Sequence, residues 1–338
     1  VRALILYGPN DLRLEDVSDP RPGAGEVMLR VECALTCATD AKMLRNGTHP
    51  ALPPPPAPFG HEVAGVVDAV GEGVSAFNVG DRVVAANSAP CGECFYCLRG
   101  RLSLCENLVY LSGAFAERLL VPARIVSRNL LHVPPGLSPE LAAMLEPLAC
   151  AVRTAERCTV EDGDVAVVLG GGVQGQFLTA LLSKRGCRVF LCDPHDDRRR
   201  RALAFGAAET YEAPRDGAGV AVVRAATTGG RGADLVVEAV GRPEAWEVAA
   251  LLARSGGEVV FHGGCAPGTT VTLPTAPLHY GELRLQGFYH HTPDAVRRAL
   301  DLLAEGAAPF RDLLGDAIGL EDVARTLAES GPKRPVVP

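Results

Sequence analysis

VAVVLGGGVQG, residues 165–175, opens as a fully apolar strand, VAVVLG (165–170), and closes as a glycine loop. The loop carries G-x-G-x-x-G at Gly170, Gly172 and Gly175, with Val173 and Gln174 before the last glycine. In such a loop the first glycine allows a tight turn, the second lets backbone approach a pyrophosphate, and the third lets helix pack on strand. The helix that follows offers free N–H groups and the positive end of its dipole to an anion. Asp193 follows the next strand, 18 positions after Gly175, where a ribose 2′-OH is held. These features predict a dinucleotide site. A carboxylate at Asp193 accepts from a ribose hydroxyl and repels a 2′-phosphate, so NAD is expected over NADP. The basic run Arg198 to Arg201 reads mainly as a solvated helix face, with Arg198 placed to lie against the adenine.

Outward from this loop the pattern repeats. A helical stretch to Arg185 is followed by the strand CRVFLC (187–192) and a helix through Phe205. Then come ADLVVEAVG (233–241), a helix to Arg254, GEVVFHG (257–263) and LRLQGFY (283–289). Apolar strands alternating with helices imply a parallel sheet covered on both faces. Two helical stretches are expected around 293–305 and 320–330. Before residue 150 the chain is β-rich: Val27 to Cys33 alternates, and VAGVVDAVGEGV (63–74) and DRVVAAN (81–87) read as short strands broken by glycine turns. PALPPPPAPFG (50–60) reads as a stiff extended connector. The expected class is α/β, a β-rich domain joined to a doubly wound parallel sheet.

The bulk numbers agree with this. At 338 residues, and roughly 150 per domain, two domains are expected. The chain is 47% hydrophobic and 22% charged, which supports a large core and argues against disorder. A net charge of −7 without a basic stripe argues against nucleic acid as a partner. VRALILYGPND does not read as a signal peptide, and no run approaches the ~20 apolar residues of a membrane span. A cytoplasmic protein is expected, and its eleven cysteines read as ligands or buried thiols rather than disulfides.

Four of those cysteines share one stretch, CGECFYCLRGRLSLC (91–105). Cys91, Cys94, Cys97 and Cys105 have the spacing to surround one tetrahedral zinc with no position left open, a structural site. A second set is more scattered: Cys37 in LTCATD, His61 and Glu62 in FGHEVAG, Glu146 in LEPLAC. A thiolate, an imidazole and a carboxylate with room for a water or an alcohol make the catalytic kind of zinc site.

CATD, GHEVAGVVDAVG, the cysteine knuckle, GAFAE (113–117), EPLAC and the glycine loop with its Asp resemble the zinc-dependent medium-chain dehydrogenases/reductases, in the branch of sorbitol and threonine dehydrogenases. The resemblance spans essentially the whole chain. It implies a GroES-like catalytic domain from 1–150 and 288–338, and a Rossmann NAD-binding domain over 151–287. It makes Cys37 and His61 catalytic zinc ligands and Glu62 an acid at or near the metal. Glu146 becomes the third ligand, with Cys150 as the alternative, and Asp40 the carboxylate that orients His61. It implies two zinc ions per chain and hydride transfer between a secondary alcohol and NAD, with Thr39 passing on the hydroxyl proton. A threonine-dehydrogenase-like reaction is one alternative; a non-catalytic NAD-responsive binding protein is another.

Three departures stand out. Lys42 replaces the histidine that relays a proton in classical alcohol dehydrogenases, leaving His49 as a helper. The segment between Cys105 and GAFAE is short. His290 and His291 stand where sorbitol dehydrogenases carry an arginine and a tyrosine, and both are candidate substrate contacts. GTTVTLP (268–274) reads as a strand that pairs subunits in relatives, so a homodimer or homotetramer is expected.

Overall fold

The computed structural model describes residues 1–49, 53–329 and 331–338. Pro50, Ala51 and Leu52, which open the proline-rich connector, lie outside the described residues, as does Ser330 at the end of the second expected C-terminal helix. The chain divides into two compact units, Val1–Ala149 with His291–Pro338, and Cys150–His290.

The first unit is built on Val27–Leu35, a strand buried except at Arg30 and Glu32. It pairs antiparallel with Val63–Val70 and with Arg118–Val121, and its end pairs with Pro335–Val336. Arg82–Ala85 and Leu130–His132 extend the same sheet. Gly65 lets two of these strands close up: a Cβ there would come within 2.4 Å of the Arg30 carbonyl oxygen. Leu6, Leu29, Phe59, Phe115 and Ile125 fill the core without solvent exposure, each contributing about 2–3 kcal/mol of apolar burial. Where Val27–Leu35 ends, Cys37 caps the helix Ala38–Asn46, which stops at Gly47 with φ 68°. Pairing of Pro335–Val336 with Ala34 and Leu35 brings Lys333 beside this junction.

The second unit is a parallel sheet ordered Glu209–Tyr211, Arg188–Cys192, Val165–Leu169, Ala233–Glu238, Ala253–Phe261, Arg284–Gly287. In chain order that is 3-2-1-4-5-6, the doubly wound Rossmann arrangement, which places a ligand crevice at the carboxyl ends where the order reverses. Val165–Leu169 is wholly buried, as a central strand covered on both faces must be.

Some expectations need correction. GTTVTLP forms no strand within this chain: Thr269 N–H bonds the Ala266 carbonyl in a turn, and the pairing expected of the segment is between subunits. Its threonines and valine have strand propensity, but within one chain that propensity finds no ladder among the described residues. The helix expected to Arg254 ends at Leu252, and the next strand runs Ala253–Phe261, leaving His262 beyond its carboxyl end. The strand Glu209–Tyr211 and helix Gly217–Ala226 were not anticipated. No described helix is long and apolar enough to cross a membrane.

Candidate metal centres and dinucleotide site

The four knuckle sulfurs all lie within 4.8 Å of one another. Cys91 and Cys105 sulfurs are 3.5 Å apart, Cys91 and Cys97 3.9 Å, and Cys94 and Cys105 3.9 Å. A tetrahedron with ~2.3 Å zinc–sulfur bonds has edges of about 3.8 Å. These spacings therefore fit one zinc and are far beyond the ~2 Å of a disulfide. Local backbone builds the cradle. Gly92 and Gly100 turn the chain at φ 88° and 70°, and the amides of Glu93 and Cys94 point at the Cys91 sulfur from 3.5 and 3.4 Å. Those amides pull the Cys91 thiol down to about 6, toward the thiolate a metal needs.

The second centre lies where Val27–Leu35 hands over to the helix Ala38–Asn46. Cys37, His61 and Glu62 bring their ligand atoms within 4.8 Å of one another. Asp40 organises two of them: one oxygen accepts the Cys37 N–H at 3.0 Å, the other stands 2.8 Å from His61 Nδ1. The Thr39 N–H reaches the Cys37 sulfur at 3.4 Å. The Glu62 carboxylate is fully buried. Its Oε2 pairs with Lys333 Nζ, which also donates to the Thr36 carbonyl at 2.8 Å. Its Oε1 is buried with no hydrogen-bond partner, 4.0 Å from His61 Nε2. A buried carboxylate oxygen without a hydrogen-bond partner, beside an imidazole nitrogen and a sulfur, is a donor set that fits a cation. Charge supports this. With Cys37 as the thiolate and His61 as the neutral imidazole that a metal requires, Cys37, Asp40 and Glu62 against Lys333 would leave two negative charges, which a divalent ion would neutralise. The groups already feel each other. Burial lowers the His61 pKa, but the Asp40 charge and hydrogen bond outweigh it and hold it well above the usual imidazole range. Burial raises the Glu62 pKa despite Lys333.

Lys333 escaped sequence reasoning. No motif marks it, and only the pairing of Pro335–Val336 with Leu35 places it. Glu146, expected as a ligand, lies outside the Cys37–His61–Glu62 cluster. It opens the helix Leu145–Arg157 and stands 4.0 Å from His291 Nε2. That nitrogen also lies 2.9 Å from Asn87 Oδ1. Cys150 is one helical turn on, in the second unit. His290 takes a left-handed backbone, φ 65°, and its carbonyl accepts from Arg153 at 3.1 Å. His49 is half-buried, its pKa lowered by burial and by the neighbouring His61; Lys42 is exposed.

In the second unit each loop glycine has its own reason. Gly170 turns the chain at φ 100°. A Cβ at Gly172 would meet nothing within 4 Å, so the space before it is open to a ligand. A Cβ at Gly175 would lie 1.7 Å from the Gly170 carbonyl oxygen. Gly172 caps the helix Val173–Lys184 without a side-chain bond, leaving its first N–H groups for an anion. The loop fits a pyrophosphate. Asp193 is buried, accepting from Gly171 N–H at 2.6 Å and His195 N–H at 2.8 Å. Arg198 stands 3.6 Å from it as a counter-charge.

The chain is similar to known zinc-binding dehydrogenases. Residues 23–134 match the model of the alcohol dehydrogenase GroES-like domain, and residues 174–305 that of the zinc-binding dehydrogenase. The chain is 31% identical over 314 residues to the 2-dehydro-3-deoxy-L-galactonate 5-dehydrogenase of Pseudoalteromonas atlantica, covering 91% of this chain and 88% of that protein. It is 30% identical to the sorbitol dehydrogenase of Bombyx mori, covering 97% and 95%. Among solved structures, a candidate zinc-binding dehydrogenase of Sinorhizobium meliloti 1021, bound to NADP, superposes with a TM-score of 0.89 at 30% identity over 100% of this chain and 99% of that one.

Proposed function

This chain belongs to the zinc-dependent medium-chain dehydrogenase/reductase family, and we propose that it transfers hydride between a secondary alcohol, of polyol or cyclitol type, and NAD. The observation that carries this reading is the unpaired, buried Glu62 Oε1 facing His61 and Cys37. A zinc ion held by Cys37, His61 and Glu62, with Glu146 as the remaining ligand, would act as a Lewis acid on the alcohol oxygen and so favour hydride loss to the nicotinamide.

The chain's own residues prepare that chemistry. Asp40 accepts a hydrogen bond from the Nδ1–H of His61 and so leaves the Nε2 lone pair for the cluster. The Thr39 amide steadies the Cys37 thiolate. Lys333 holds the Glu62 carboxylate, keeping the buried site short of only two positive charges. The Thr39 hydroxyl takes the proton that the alcohol loses, and His49 is the next station toward solvent. His290 and His291 contact the substrate. Asp193 binds the adenosine ribose, although its pairing with Arg198 weakens the repulsion that would exclude a 2′-phosphate. The functional protein is a cytoplasmic homodimer or homotetramer whose partner is a small alcohol.

One assay tests the reading. The zinc-loaded protein is offered NAD⁺ and NADP⁺ with polyols, cyclitols, L-threonine and simple secondary alcohols, and its metal is counted. The expected result is about two zinc ions per chain and reduced cofactor formed with one substrate class, more readily from NAD⁺. Cys37→Ser should lose one zinc and nearly all turnover while still binding NADH. Full turnover in Cys37→Ser, or one zinc per chain with no turnover, would defeat it. Asp193→Ala should move the preference toward NADP⁺ by about tenfold or more, and an unchanged ratio would show that another residue sets the cofactor.

A further inference from the structure

Thr154, Gln174 and His262 come from three separate stretches of the second unit and form one hydrogen-bonded chain. Thr154 Oγ1 lies 2.9 Å from His262 Nδ1, and His262 Nε2 lies 3.0 Å from Gln174 Oε1. A carboxamide oxygen only accepts, so the ring donates its Nε2 proton to Gln174 and accepts the Thr154 hydroxyl at Nδ1. The imidazole is therefore neutral with both nitrogens satisfied, and burial, which pushes its pKa down to about 4, keeps it neutral.

The position of the chain matters. Gln174 is inside the glycine loop, the second residue of the helix Val173–Lys184. His262 is the first residue beyond the carboxyl end of Ala253–Phe261. Along the carboxyl edge of the sheet, Asp193 follows Arg188–Cys192, the neighbour of Val165–Leu169 on one side. His262 follows Ala253–Phe261, two strands away on the other side. A dinucleotide with its adenosine ribose at Asp193 and its pyrophosphate on the loop must run its nicotinamide half toward His262. Burying an imidazole there costs desolvation that an apolar side chain would avoid. Its two hydrogen bonds offset part of that cost and fix the ring's tautomer at the edge where a ligand would lie.

We propose that Thr154–His262–Gln174 is a positioning chain for the nicotinamide half of the bound dinucleotide, fixing the orientation of the Gln174 carboxamide on the glycine loop. This rests on the dinucleotide reading above. His262 and Thr154 act through Gln174; they are not assigned any step in hydride transfer.

The test compares two ligands on the full, zinc-loaded chain: NADH, or NADPH if the wild type prefers it, and ADP-ribose, which has the adenosine and pyrophosphate but no nicotinamide. His262→Leu and Gln174→Leu should each weaken the reduced cofactor about threefold to tenfold, the reach of one neutral hydrogen bond. Both should leave ADP-ribose within about twofold. The double variant should bind no worse than either single one, because both break the same chain. His262→Gln, whose amide still donates to Gln174, should restore most of the loss. Thr154→Val removes the far donor at nearly constant shape and gives the same pattern more weakly, so the test survives if a leucine variant folds poorly. Equal weakening of ADP-ribose, or additive losses in the double variant, would overturn the proposal. Unchanged affinities beside a wild type that binds both ligands would overturn it alone. A wild type that binds neither ligand would overturn it together with the dinucleotide reading.

Discussion

One carboxylate oxygen of Asp40 stands 2.8 Å from Nδ1 of His61, while the other holds the backbone of the cysteine that caps the same helix. A single buried acid thus sets the geometry of two metal donors. Asp40→Ala releases both. Zinc affinity at this centre should fall ten- to a hundredfold, the usual cost of losing a partner behind a ligand, and turnover should fall with it. Competition with a chromophoric chelator reads this directly. The knuckle zinc should stay bound, so release of only one ion per chain is the expected outcome; unaltered retention of both would remove Asp40 from the site.

Cys97→Ser acts on the other centre. Metal binding at a closed four-sulfur site is folding energy, of order 10–16 kcal/mol for small zinc modules, comparable to the whole stability of a domain. The variant should carry one zinc fewer and lose at least ~10 °C in melting temperature. An unchanged melting curve with full zinc content would show that the knuckle does not depend on this thiol.

Two glycines in one loop should behave oppositely. Gly172→Ala adds a Cβ that meets no protein atom, so stability should change by less than ~0.5 kcal/mol, yet the methyl occupies the space meant for the pyrophosphate and cofactor binding should drop. Gly175→Ala drives a Cβ against the Gly170 carbonyl oxygen, so stability and binding should fall together. Paired urea unfolding and NADH titration separate the two. Normal cofactor affinity in Gly172→Ala would move the pyrophosphate elsewhere.

His262 makes the stability of the second unit depend on pH. Its folded pKa of about 4 lies below the ordinary imidazole value of ~6.5. Between those values the unfolded chain binds more protons, so stability rises with pH there. The contribution is complete above about pH 6.5 and is lost as pH falls through about 4. It amounts to roughly 2 kcal/mol between pH 7.5 and pH 5. Urea unfolding of wild type and His262→Leu over that range should show a steeper acid loss in the wild type by about this amount. Parallel curves would mean the ring already titrates near its ordinary value.

The alternation of strands and helices after residue 164 was legible because central parallel strands such as Val165–Leu169 are apolar throughout and cannot be mistaken for exposed turns. The glycine loop was legible for a related reason: steric demands as severe as that on Gly175 leave one residue type. Glu209–Tyr211 was not, because three half-buried residues at a sheet edge carry no usable period. GTTVTLP has strand-favouring side chains but no ladder within the chain among the described residues, because a strand that pairs subunits finds its neighbour on another copy. In the metal centre, Cys37, His61 and Glu62 announce themselves by ligand chemistry. Lys333 does not, since a lysine near prolines and an arginine looks like any solvated residue until its strand partner is known. Nor does any motif announce that Glu146 has His291 as a neighbour, 4.0 Å away.

Lys333 and Glu62 are separated by 271 positions. During synthesis Cys37, Asp40, His61 and Glu62 therefore emerge long before the cation that neutralises one of them. A nascent chain that has completed only the early strands presents a pocket of acids with no counter-charge, a place where any passing divalent ion is welcome and where compaction without one is resisted. Only when Pro335–Val336 adds itself to the sheet does the pocket reach the charge that suits a single dication. The charge balance of the metal centre is thus tied to the completeness of the sheet, so a chain whose Pro335–Val336 pairing has come undone keeps its metal donors but not their counter-charge.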